Sequence, residues 1–252
     1  MERDQKIKHR YGLIGKDISY SFSERYFNEK FNELNLDNYT YQNFDIDTIK
    51  NFPKIIRKTK NLRGLNVTIP YKEEVLDYLD EIDKEADDIG AVNTIKILKN
   101  GKLKGFNTDV YGFNKSIIKQ LKEHHQRALI LGTGGASKAV IFALKKMNIE
   151  VLLVSRNPTK SDEISYDNIS ESIINEYTII VNCSPVGTYP NTEVCPNIPY
   201  QYITSRHFMY DLIYNPSRTL FLKKGLKKGS TICNGLQMLE LQAENAWEIW
   251  NS

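Results

Sequence analysis

The chain has 252 residues, 40% hydrophobic and 26% charged, enough apolar mass for one large core or two modest ones. Its 34 basic and 31 acidic residues leave a net charge of only +3, which offers nucleic acid no clustered basic face. No run approaches the ~18 apolar residues of a membrane span, and no apolar stretch of the kind a secretory signal needs follows the charged segment Met1 to Arg10.

The three cysteines, Cys183, Cys195 and Cys233, show no disulfide or zinc-knuckle spacing. The four histidines, His9, His124, His125 and His207, show no metal-ligand spacing. The expected setting is a reducing cytoplasm, with no metal, no nucleic-acid partner and no membrane partner. The expected assembly is a monomer or homodimer.

In chain order, Tyr11 to Ile14 predicts a strand. Ser23 to Leu34 predicts a helix with Tyr26, Phe27, Phe31 and Leu34 on one side. Tyr39 to Phe44 alternates as a strand does, and Ile46 to Thr59 reads as helical. Gly64 to Val67 is the next strand, and Pro70 stands as the first helical residue of Tyr71 to Leu79. Ala91 to Leu98 and Leu103 to Phe106 flank Asn100-Gly101, a hairpin signal.

A helix from Asp109 to Lys122 opens a second series. Its strands are Ala128 to Leu131, Val151 to Ser155, Ile179 to Asn182 and Phe208 to Leu212; its helices are Ser137 to Met147, Thr219 to Lys227 and Leu236 to Trp250. Such alternation predicts an α/β fold with two parallel sheets and right-handed crossovers, one sheet before about residue 108 and one after. No repeat, low-complexity tract or tether separates them, which predicts a tight hinge.

The segment Arg127 to Ala139 reads strand, glycine turn, helix. Gly132 permits the sharp turn, Gly134 lets backbone approach a pyrophosphate, and the helix start offers N–H groups and a positive dipole end. Ser137 stands where the usual third glycine falls. After the next strand, an enzyme using NAD carries Asp or Glu for the ribose hydroxyls. This chain carries Ser155-Arg156-Asn157-Pro158-Thr159-Lys160, which suits a 2′-phosphate and favours NADP over NAD.

Four polar clusters punctuate the first half: Ser19 to Ser23, Asn66 to Lys72, Gly90 to Thr94, and Asn107 to Asp109. Singly, each has a bland reading. Serines before a helix are N-caps, Asp109 could cap its own helix, and Lys72 could be solvated. Together they supply hydroxyls, amides, a cation and a carboxylate, an inventory that suits a hydroxylated carboxylic acid.

The motifs Asn66-Val-Thr-Ile-Pro-Tyr-Lys72, Gly90-Ala-Val-Asn-Thr94, Asn107-Thr-Asp109, Gly132-Thr-Gly-Gly-Ala-Ser137, Val181-Asn-Cys-Ser-Pro-Val-Gly-Thr188 and Asn234-Gly-Leu-Gln-Met-Leu239 with Gln242 stand in this order along nearly the whole chain. In this it resembles the shikimate dehydrogenases. The resemblance implies NADPH-dependent reduction of 3-dehydroshikimate to shikimate on the route to chorismate and the aromatic amino acids. It implies that Lys72 and Asp109 form the catalytic pair, Lys72 as proton donor or as a cation for the developing alkoxide, Asp109 holding it charged. Ser21 and Ser23 would hold the substrate carboxylate. Thr68, Asn93 and Gln242 would bond its hydroxyls, with Tyr214 nearby. Gly132, Gly134, Gly135 and Ala136 would form the phosphate turn, Ser155, Arg156 and Lys160 the adenosine phosphate site, and Gly235 would lie near the nicotinamide. The turn's Ser137 is the family's own form of the motif.

The implied layout is a substrate domain, 1–108, completed by the returning C-terminal helix 236–252, and a doubly wound Rossmann-type NADP domain, 109–235. The substrate would sit in the cleft between them. The first motif departs from the family's pattern, with Tyr20 for histidine and Glu24 for proline. Glu24 is expected to face solvent in the first helical turn. The nearest alternative is a relative that also oxidises quinate, with NAD. A non-catalytic dinucleotide sensor would be expected to have lost Lys72 or Asp109, and both are present. A two-domain dehydrogenase acting on a folate would lack the paired serines and the Asn93 and Asp109 motifs.

Overall fold

The computed structural model describes residues 8–19 and 21–252; residues 1–7 and Tyr20 lie outside it. The chain divides into two compact units, Met1–Thr108 with Ala243–Ser252, and Asp109–Gln242.

The first unit is built on β1 (His9–Gly15), β2 (Tyr39–Asp45), β3 (Leu62–Val67), β4 (Glu81–Ile82), β5 (Thr94–Ile97) and β6 (Leu103–Phe106), ordered β2-β1-β3-β5-β6-β4. β1 runs parallel to β2 and β3, and β4 parallel to β6, but β5 is antiparallel to β3 and β6. The expected parallel arrangement thus holds over only part of this sheet. The cause is the Asn100-Gly101 turn: Gly101 takes φ +83, the Leu98 N–H donates to Lys102 O at 2.8 Å, and so short a connection can join only antiparallel strands.

Helix α1 (Phe22–Glu33) starts where the Ser21 hydroxyl accepts the Ser23 N–H, and buries Phe27 and Phe31. These rings join Tyr11, Tyr41, Ala243, Ala246 and Trp250 in one apolar cluster. Each fully buried side chain of this kind contributes about 1.5–3 kcal/mol before entropy. The expected helix Ile46 to Thr59 is a 3-10 turn, Ile49–Asn51, followed by α2 (Phe52–Lys58), since Pro53 lacks the N–H that a continuous helix would use. The expected helix Tyr71 to Leu79 shrinks to a 3-10 turn, Glu74–Tyr78, with Pro70 outside it in an exposed turn. Helix α3 (Lys84–Ile89), not anticipated, is capped by Asp83 and ended by Gly90 at φ +70.

The second unit opens with α4 (Asp109–Ile117) and carries β7 (Arg127–Leu131), α5 (Gly135–Lys146), β8 (Glu150–Ser155), β9 (Glu163–Ser165), α6 (Glu171–Glu176), β10 (Ile179–Asn182), β11 (Phe208–Asp211), α7 (Leu220–Lys227) and β12 (Thr231–Cys233). Its sheet is parallel throughout, ordered β12-β11-β10-β7-β8-β9. Numbered from β7, that is the doubly wound order 3-2-1-4-5-6, with its switch point between β7 and β10. Ala128 to Leu131 and Ile179 to Val181 are fully buried, as strands covered on both faces must be. Helix α8 (Leu236–Asn251) supplies its first turns to this unit and Ala243 onward to the first.

Candidate active site

In the first unit, the predicted polar clusters converge on a buried hydrogen-bond network at the ends of β3, β5 and β6. The Ser23 hydroxyl bonds the Tyr41 hydroxyl, which donates to Asn66 Oδ1 at 2.8 Å. Asn66 Nδ2 donates to Thr94 Oγ1 at 3.1 Å and to the Asn93 carbonyl at 3.3 Å. Asn93 Oδ1 accepts from the Thr108 N–H at 2.8 Å, from Thr108 Oγ1 at 3.1 Å and from Thr94 Oγ1 at 3.0 Å. Burial pushes the Tyr41 hydroxyl well above its ordinary pKa, so it stays a neutral donor. Such a network, buried and satisfied, is rigid: each member fixes the orientation of the next.

Around it, Asn107 Nδ2 donates to the Ala91 carbonyl at 2.9 Å, and the Lys72 carbonyl accepts from the Val92 N–H at 2.8 Å. The second contact ties the turn bearing Lys72 to the strand approach bearing Asn93. Thr68, half-buried, follows β3, its N–H on the Ile14 carbonyl at 2.9 Å. Ser21 is the N-cap of α1. Glu24 departs from expectation: it is half-buried in the first turn and accepts from Asn43 Nδ2 at 2.6 Å, so Asn43 pairs it instead of water. The Tyr20 departure lies outside the described residues.

In the second unit the glycine turn sits at the switch point. Gly132 takes φ +105, which side-chain-bearing residues avoid, and its N–H donates to the Val154 carbonyl at 2.9 Å. No side chain caps α5 at Gly134, and a Cβ at Gly134 or Gly135 would meet nothing within 4 Å. The start of this twelve-residue helix, with the positive end of its dipole, is therefore not crowded by any side chain at Gly134 or Gly135. Ser137 is buried, its hydroxyl turned back onto the Gly134 carbonyl at 2.6 Å, where it braces the turn. These features fit a dinucleotide pyrophosphate. Ser155 ends β8, its hydroxyl accepting the Asn157 N–H at 3.2 Å. Arg156 and Lys160 are exposed beyond it, and among the described residues neither is in an ion pair.

Asp109 is the first residue of α4 and is buried. Gln242 is buried on α8, its Nε2 on the Leu239 carbonyl at 2.9 Å. Tyr214 is half-buried in the segment after β11. Gly235 is buried just before α8, where a Cβ would run into the Leu212 carbonyl. Lys72 belongs to the first unit and Asp109 to the second. Asn66, Thr94 and Thr108 stand in the predicted polar clusters, though without the bonding role they take here, and Tyr41 was not singled out. A polar residue recurring at the end of each apolar strand was the available signal. A surface groove of about 290 Å³ lined by Ile46, Asn51, Lys54, Ile55, Lys58 and Thr59 shares no residue with the predicted site. Among the described residues no group of His, Cys, Asp and Glu is arranged to hold a metal ion, and no helix is long and apolar enough to cross a membrane.

A family profile described as the shikimate dehydrogenase substrate binding domain matches residues 13–95. A shikimate dehydrogenase (NADP(+)) from Methanosphaera stadtmanae is 40% identical over 257 residues, spanning 95% of this chain and 90% of its own. The crystal structure of a shikimate dehydrogenase from Aquifex aeolicus superposes with a TM-score of 0.85 at 36% identity, over 97% of this chain and 92% of that one. A crystal structure of a shikimate dehydrogenase in complex with NADP+ gives a TM-score of 0.84 at 34% identity, over 96% and 90%.

Proposed function

This chain belongs to the shikimate dehydrogenase family, and we propose that it catalyses the reversible NADPH-dependent reduction of 3-dehydroshikimate to shikimate in the shikimate pathway. The observation that carries the reading is the glycine turn at the switch point of the 3-2-1-4-5-6 sheet, with two cations after the second strand and no carboxylate in their place. NADPH, when bound, supplies the hydride. Gly132, Gly134, Gly135 and Ala136 would hold its pyrophosphate, Ser155, Arg156 and Lys160 its 2′-phosphate, and Gly235 would serve the nicotinamide end. Lys72 donates a proton to the substrate oxygen as that oxygen gains charge, and Asp109 keeps Lys72 charged and in place. Ser21 and Ser23 receive the substrate carboxylate; Thr68, Asn93, Tyr214 and Gln242 receive its ring hydroxyls. Residues 1–108 with the end of α8 form the substrate domain and the remainder the NADP domain. The setting is the cytoplasm, with the protein acting as a monomer or homodimer.

The test is oxidation of shikimate and of quinate by the purified chain, each with NADP and with NAD. Shikimate with NADP is expected to give the highest kcat/KM. Equal or better efficiency with NAD would overturn the role given to Arg156 and Lys160, and preference for quinate the substrate assignment.

A further inference from the structure

The second unit buries a carboxylate that the chemistry above does not use. Asp211 ends β11 with no exposed surface. Three donors meet it: Asn182 Nδ2 at 3.0 Å, the Ile213 N–H at 3.1 Å and Thr219 Oγ1 at 2.5 Å. All three donate, so the arrangement suits an ionised carboxylate. Burial nonetheless pushes its pKa up to about 6 against the pull of those bonds. A buried charge costs free energy that an apolar residue would not, so what its partners hold in place is informative.

Asn182 ends β10, the strand across the switch point from β7. Its Oδ1 accepts from the Ser184 N–H at 3.1 Å and from Ser184 Oγ at 2.6 Å, and its Nδ2 also donates to the Val186 carbonyl at 3.3 Å. One amide thus clamps the first turn of the loop after β10. Asp211 and the Val186 carbonyl can only accept and the Ser184 N–H can only donate, so together they hold that amide in one orientation, Asp211 from the far side of the loop. Ser184 in turn abuts the glycine turn, where a Cβ at Gly132 would lie 3.3 Å from both Ser184 Cβ and Ser184 N. The Cys183 N–H, donating to the Leu131 carbonyl at 2.9 Å, fastens the same loop to the end of β7. The line of contact runs from Asp211 through Asn182 and Ser184 to the turn at Gly132.

We propose that Asp211 is a positioning residue for the dinucleotide: by orienting Asn182 it sets the loop at Ser184 against the glycine turn and thereby the affinity for NADP(H). This deepens the cofactor reading above and rests on it. The side chain touches neither reactant and acts through two others.

The test is direct binding of NADP to the purified full chain, by calorimetry and without substrate. Asp211→Leu keeps roughly the size and removes both acceptor oxygens, so Asn182 loses its bond to the end of β11 and its hold on the loop loosens. The expected Kd rises about tenfold, the effect of one lost bond to a buried group. Amide hydrogen exchange at Ser184 and Val186 should quicken in the same variant. Asp211→Asn can keep its Oδ1 on Asn182 and on the Ile213 N–H while its NH₂ donates to the Thr219 hydroxyl, so it should retain most of the affinity, a rescue by the conservative variant that ties the effect to the acceptor facing Asn182. Ser184→Ala, on a half-buried loop, removes the shorter of the two bonds from Ser184 to Asn182 without threatening the core and should weaken NADP binding by about threefold. Unchanged Kd in both Asp211→Leu and Ser184→Ala would overturn the proposal. A wild-type chain that bound no NADP would overturn the cofactor assignment instead.

Discussion

Asn93 accepts three hydrogen bonds on one carbonyl oxygen, two of them from Thr108. An amide so saturated cannot flip without stranding buried donors, each worth about 1–3 kcal/mol. Its position is therefore set before any substrate arrives, as positioning demands. Lys72 is anchored differently, by its backbone: its carbonyl takes the Val92 N–H at 2.8 Å, one residue from Asn93. Truncating its side chain leaves that anchor intact. Lys72→Ala is therefore expected to cut turnover by about 10²-fold or more with little change in the KM for shikimate. Steady-state kinetics checks this, and unchanged turnover would remove Lys72 from the chemistry.

Among the elements, α4 and α8 approach each other closely. A Cβ at Gly112 would stand 2.5 Å from the Met238 carbonyl and 3.1 Å from Gln242 Cβ. Gly112 lies one turn beyond Asp109, so the helix bearing the proposed catalytic carboxylate packs backbone to backbone against the helix bearing Gln242. Gly112→Ala forces the pair apart. Overpacking of this kind costs about 1–3 kcal/mol, and a chain of this size loses on the order of 2–4 °C of Tm per kcal/mol. A thermal melt reads the difference; an unchanged Tm would show that the helices tolerate a wider spacing.

For the molecule as a whole, several groups make stability depend on pH. His125 Nδ1 accepts the Lys122 N–H at 3.0 Å, which leaves Nε2 to donate to the Arg206 carbonyl at 3.1 Å, so the folded ring is neutral. Burial lowers its pKa, more than the carbonyl bond raises it, and neighbouring positive groups lower it further. The unfolded chain therefore takes up this proton first, and stability falls as pH drops through about 6.5. Glu244 acts in the same direction: burial raises its pKa, but bonds from Lys30 and Tyr26 outweigh that and leave it lowered, so its contribution is lost as acid protonates it. Asp211 opposes both. Its pKa is raised to about 6, so its contribution is present at low pH and lost as pH rises through that value. Between about pH 7 and pH 5 His125 and Asp211 therefore oppose each other, and Glu244 adds its loss only below about pH 4.5. His125→Gln removes the histidine's share, so the change in Tm from about pH 7 to about pH 5 should become more favourable to the acid side than in the unaltered chain; an identical change in both would remove His125 from the account.

What the amino-acid order determined by itself is what depends on local chemistry. The glycine turn, the Asn100-Gly101 hairpin and the buried apolar strands of the second sheet were legible because each rests on φ preference or on periodicity within a few residues. The motif residues were legible too, as types in order along the chain. Tertiary structure alone decided the rest. β4, β9 and β12 are two or three residues long and exist only because a neighbouring strand pairs with them. The 3-10 turn where a helix was expected after Pro70, the inward bond of Glu24 to Asn43, and the service of Asp211 to a loop 29 positions away all depend on partners remote in sequence. Burial and hydrogen bonding are properties of an environment, and the environment exists only once the chain has folded.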